Sequence, residues 1–84
     1  MELFDLVIHD LKKCFEEFKL KLIALNKKNY CSSLDTFLTR AIERKSFTEH
    51  DLEKLTILSD EIYQEVDLNL ESKVYEILVV KYRL

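Results

Sequence analysis

Phe47-Thr48-Glu49-His50-Asp51-Leu52 is the sharpest helix start in the chain. Thr48 is placed to cap: its hydroxyl accepts from the backbone N–H three residues on. Asp51 stands at the third helical position as its reciprocal partner, and Phe47 with Leu52 is the apolar pair that closes over such a cap. Beyond it, Leu52, Leu55, Leu58 or Ser59, Ile62 and Val66 recur at helical spacing, which predicts a helix over 49–66.

Working upstream, Ser32-x-x-Asp35 has the same reciprocal form and predicts a second helix over 33–45. It would bury Leu34, Phe37, Leu38, Ala41 and Ile42, and end in Arg44-Lys45 against the negative end of its dipole. Before it lies Asn26-Lys27-Lys28-Asn29-Tyr30, a polar run whose asparagines tolerate a left-handed turn. The first segment places Leu3, Phe4, Val7, Leu11, Cys14, Phe15, Phe18, Leu22 and Leu25 on one stripe, a helix of about 2–25. Downstream, Asp67-Leu68-Asn69 offers caps but no breaker, and a break there starts a fourth helix over 70–83 with Leu70, Val74, Ile77, Leu78 and Tyr82 inward. Ile77–Val80 is apolar nearly all round, as in a helix packed between others. A terminal strand at Val79-Val80 is the alternative, and nothing else in the chain offers it a partner. Not one of the 84 residues is glycine or proline, so no position has glycine's freedom at positive φ or proline's fixed φ. The expectation is an all-α protein, a compact antiparallel bundle of four helices in a single domain over 1–84.

A composition of 48% hydrophobic and 35% charged residues is that of a globular domain, near the lower size limit for a core without disulfides or metal. Apolar runs such as Ile77–Val80 fall far short of the roughly 20 residues of a bilayer span, and no charged-then-apolar leader opens the chain. A cytoplasmic protein with no membrane partner is expected. Cys14 and Cys31 read as reduced thiols, Cys14 packing as a small hydrophobe.

Chemistry-bearing residues are few. His9 and His50 fall on different helices, neither has the i, i+4 partner of a helical metal site, no Cys-x-x-Cys pair exists, and no glycine is present to cradle phosphate. The reading is a non-enzyme with no catalytic residues, no cofactor and no metal site. A sequence pI near 5.4 argues against direct nucleic-acid binding, since Lys12, Lys13, Lys19, Lys21, Lys27 and Lys28 are diluted by neighbouring acids.

Charge is divided along the chain. Residues 1–45 carry nine basic and seven acidic side chains, residues 46–84 four and nine, within a net charge of −3. The first helix neutralises itself through Lys12–Glu16, Lys13–Glu17 and Glu17–Lys21 at i, i+4. In the third, Glu49–Glu53 and Glu61–Glu65 are like-sign pairs, each costing about 0.2–0.5 kcal/mol in an isolated helix. Lys54 is the only lysine or arginine between Lys45 and Lys73. A solvated face that keeps the protein soluble explains this pattern. So does a surface of Glu53, Asp60, Glu61, Glu65 and Asp67 that awaits a basic protein partner, with Tyr63 adding apolar contact area.

Residues 63–84 resemble the C-terminal segment of the colicin D type of immunity protein, in Tyr63, Glu65, Val66, Asp67, Asn69, Leu70, Val74, Ile77, Leu78, Lys81, Tyr82, Arg83 and Leu84. Members of that family are small acidic helical proteins that plug the basic active site of a tRNA-cleaving toxin. The resemblance implies an inhibitor of a basic toxin or nuclease domain. Cys31-Ser-Ser-Leu34-Asp35-Thr36, Ile42-Glu43-Arg44-Lys45 and Lys73-Val-Tyr75-Glu-Ile77 are similar to the Hha/YmoA family of helical partners of the nucleoid protein H-NS. That likeness implies a co-regulator instead. A bundle that only associates with itself is a further class.

Overall fold

The computed structural model describes residues 2–83. It has α1 over Leu3–Ala24, α2 over Asn29–Arg44, α3 over Glu49–Val66 and α4 over Leu70–Tyr75, which runs on into a π-helical segment, Glu76–Lys81. The described residues contain no strand, so Val79 and Val80 belong to the π segment.

α1 packs on α2 and α4, and α3 packs on the same two, which sets α1 and α3 on one diagonal of a square. Each neighbour runs antiparallel to the last: Lys19 of α1 meets Asp35 of α2, Arg44 near the end of α2 meets Asp51 at the start of α3, and Asp10 near the start of α1 meets Lys81 near the chain's end. The bundle measures 36 × 24 × 22 Å. Val7, Leu11, Phe15 and Leu22 of α1, Leu34 and Ala41 of α2, Ile62 of α3 and Leu70 of α4 are fully enclosed at its centre.

Half of the expected reciprocal cap forms at the α3 start: the Asp51 backbone N–H donates to the Thr48 hydroxyl at 3.1 Å, while the Asp51 carboxylate accepts from Arg44 at 3.0 Å. Phe47 extends an aromatic row at that end of the bundle, its ring 5.3 Å from Phe4 and 6.0 Å from Phe37 between centroids. Asn69 caps α4 by accepting from the Ser72 N–H at 3.0 Å.

The absence of glycine does not keep the turns out of the left-handed region, which the asparagine run before α2 was expected to use. Asn26, Lys45 and Asp67 take φ of 60°, 56° and 60°, so the chain reverses through left-handed residues that carry a Cβ. After α1, Lys27 N–H reaches Leu22 C=O and Asn26 N–H reaches Ile23 C=O; after α2, Ser46 and Lys45 repeat the pattern on Ala41 and Ile42. Both are Schellman ends. Asp67 closes α3 with the single bond to Tyr63 C=O.

The start of α2 differs from the predicted 33–45. Asn26 alone turns the chain, so α2 begins at Asn29 and Tyr30 is free to bury. Ser32 then lies inside the helix, its carbonyl accepting from the Thr36 hydroxyl, and Asp35 pairs with Lys19 at 2.8 Å instead of capping. Leu3, Leu25 and Ile42, read as core, are 48%, 48% and 40% exposed, while Ile8 is buried. On α3 the inward choice between Leu58 and Ser59 goes to Ser59, whose hydroxyl donates to Leu55 C=O. Ile77–Val80 is not enclosed all round: Val80 is 63% exposed.

Candidate functional site

α3 is the helix on which the expected contact residues sit. Its inward line is Asp51, Leu55, Ser59 and Ile62. At roughly 100° per residue the six predicted contacts spread over an arc instead of a single ridge. Glu53 and Asp60 lie close to the outermost line. Tyr63, half exposed, lies toward α4. Glu61 and Glu65 lie toward α2, and exposed Asp67 is the left-handed residue that ends the helix.

On the α2 side the protein supplies its own counter-charges. Lys27 Nζ is 3.4 Å from the Glu65 carboxylate, and the neighbouring Tyr30 hydroxyl, then Lys27, hold that carboxyl below its ordinary range. Asp51 is almost wholly buried, with Arg44 at 3.0 Å and Arg40 at 3.9 Å. The Thr48 hydroxyl, then the two guanidinium groups, depress its pKa. The α2–α3 groove, about 280 Å3, mixes Arg40 and Lys54 with Asp51 and Glu61 over a floor of Phe37 and Leu55.

The α4 side is built otherwise. A smaller groove of about 170 Å3 runs between Leu52, Leu55, Thr56 and Ser59 of α3 and Val74, Tyr75, Leu78 and Val79 of the last helix. Glu71 is its one charged lining residue. Thr56, on its α3 wall, has Glu49, Glu53, Asp60 and Tyr63 at i−7, i−3, i+4 and i+7, the positions that share a helix ridge. Among the described residues, none of Glu49, Glu53, Asp60, Glu61 and Asp67 has a lysine, arginine or histidine within ion-pair distance.

Elsewhere the remaining candidates are dispersed. His9 and His50 are exposed on the diagonal helices α1 and α3. Cys14 and Cys31 are free and half-buried; burial pushes the Cys14 thiol up, and Cys31 Sγ lies 3.9 Å from Lys19 C=O. No group of three or more metal-ligating side chains gathers among the described residues, and no described helix is long and apolar enough to cross a membrane.

Two features escaped the sequence. The first is the set of groups around the α2-side acids, the Tyr30 hydroxyl beside Glu65 and Arg40 with Arg44 around Asp51, for which the i, i+4 spacing of the two arginines was the available sign. Asp10 is the second case: it accepts from Lys81 Nζ and the Tyr82 hydroxyl, both at 2.7 Å, and this pins the π segment to α1. Two residues of the colicin-like pattern, Lys81 and Tyr82, thus bond within the chain, and Leu84 lies outside the described residues. No protein-family model, curated protein or solved structure matches the chain.

Proposed function

We propose that the protein is a non-catalytic helical inhibitor of the immunity or antitoxin kind, acting in the cytoplasm by covering the cationic, nucleic-acid-cleaving site of a basic toxin or nuclease domain. The observation that carries this reading is the exposed carboxylate set of α3: Glu53, Asp60 and Glu61 stand without internal cations although like-charged neighbours share the helix. A chain selected for stability alone gains from mixing signs there. A field of this kind steers a cationic partner, and the partner's lysines and arginines relieve the repulsion on docking. Glu53, Asp60 and Tyr63 form the centre of the contact, Glu61 its α2 edge, and Glu65 and Asp67 its margin.

The test is capture from the native host followed by an assay for nucleic-acid cleavage. The reading predicts a basic nuclease that the chain inhibits, with association slowed by added salt. Capture of a nucleoid protein without cleavage activity would instead support an Hha/YmoA-like co-regulator and end the inhibitor reading.

A further inference from the structure

We infer that the α3–α4 groove seats the apolar row of a basic amphipathic helix presented by the partner, an inference that deepens the binding half of the function proposed above. Its volume of about 170 Å3 suits a few aliphatic or aromatic side chains, not a cofactor-sized ligand, for which pockets of roughly 300–1,000 Å3 are usual.

Two independent features converge on that occupant. The first is apolar surface left in water. Tyr75 and Val79 on the groove's rim are 58% and 38% exposed, Val80 beside them 63%, and Tyr63 on the α3 side 51%. A surface helix ordinarily turns polar residues outward at such positions, and adjacent exposed apolar groups mark interaction surfaces. The second is the sign of the charge around them. Glu71 lines the groove, and Glu49, Glu53 and Asp60 share the ridge of Thr56 along its α3 wall, while no lysine or arginine is among the lining residues. The α2–α3 groove, by contrast, has Arg40 and Lys54 in its walls. An apolar trough with an acidic bank is complementary to a helix whose apolar stripe is flanked by lysine and arginine.

A second copy of this chain fits less well. Its own exposed apolar pair, Leu20 and Ile23 of α1, 70% and 56% exposed, has Lys21 beside it. The lysines around Leu20 are matched by Glu16 and Glu17 at i−4 and i−3, so α1 presents a near-neutral face and not the basic one that an acidic bank selects.

The full chain, isotope-labelled for amide NMR, is titrated with three helical peptides of about four turns: one with leucines at coiled-coil spacing among lysines, one with glutamates in place of the lysines, one with serines in place of the leucines. The leucine–lysine peptide is expected to move the amide signals of Thr56, Ser59, Glu71, Tyr75 and Val79. The glutamate peptide leaves them in place, and the serine peptide binds at least about tenfold more weakly. Tyr75→Ala with Val79→Ala, both exposed positions, weakens leucine–lysine peptide binding about tenfold or more at unchanged helical circular dichroism. Shifts centred on Ser33, Arg40 and Lys54, or equal affinity for the serine peptide, would overturn the inference and leave a field without a seat. A peptide-free dimer that Leu20→Lys dissociates, with the groove signals moving on dissociation, would overturn it in favour of a second copy. None of these outcomes decides whether the chain inhibits a captured nuclease. Capture that yields no inhibited nuclease, beside an intact peptide response, removes the inhibitor reading and keeps the groove.

Discussion

The two flanks of α3 have the same backbone between them and opposite electrostatics. Toward α2, each deep or reaching acid meets a cation from elsewhere in the chain: Asp51 has Arg44 and Arg40, Glu65 has Lys27. Toward α4, the contact is apolar and the nearby acids have no such partner. Internal ion pairs of this kind fix helix register and have little left for another molecule, whereas unpaired carboxylates beside exposed tyrosines have nothing to gain within the monomer. The difference teaches that net charge alone is a poor guide to a binding surface; what matters is which charges the fold has already used.

The most damaging way to break the comparison is to remove what both flanks share. Leu55 is buried and floors both grooves, so Leu55→Ala should cost about 2–5 kcal/mol and merge the distinction by loosening α3 as a whole. Chemical denaturation monitored by circular dichroism measures it.

Acid should loosen the α2 flank, as it should the Asp10 contact between α1 and the chain's end. Asp51 and Glu65 have folded-state pKa values depressed below their ordinary ones, so their contribution is fully present above those ordinary values and is lost as pH falls through the folded ones. The window opens below about pH 4. Asp51→Asn with Glu65→Gln should lower stability at neutral pH, and the wild-type and variant curves should converge as pH falls toward 2. Parallel curves would show that the α2 flank is not held by these ionised groups.

The smallest effect sharpens the account of the turn that feeds α3. Lys45 holds φ of 56° with a Cβ in place, so Lys45→Gly should stabilise by up to about 1 kcal/mol, visible as a small rise in melting temperature.

Much of this was legible in advance, and the reasons differ by element. α3 was read to its ends because a hydroxyl cap, an acid at the third position and an apolar stripe all agree over 49–66. The start of α2 was not, because nothing at Lys28 caps by side chain; burial of Tyr30 decides it, and burial is a tertiary fact. Lys45 in a left-handed conformation is equally invisible, since no local preference of lysine announces it. At the site, the sequence presents the six contact residues as one group. Helical spacing alone separates Glu53 and Asp60 from Glu61 and Glu65, but that the second pair faces α2, and that Lys27 reaches Glu65, follows only from how the helices pack. The π-helical ending, which the side-chain pattern of residues 76–81 does not signal, has no physical account in local propensity.

The proposal at stake is that the partner reads α3 from its outermost line, at Glu53 and Asp60, toward α4, and not from the α2 side. Association rates of the captured partner with wild type, with Glu53→Lys plus Asp60→Lys, and with Glu61→Lys, measured at low salt, test it most directly. The account predicts that the first variant associates roughly a hundredfold more slowly and that Glu61→Lys costs much less. Equal rates for all three, or a larger loss from Glu61→Lys, would contradict it.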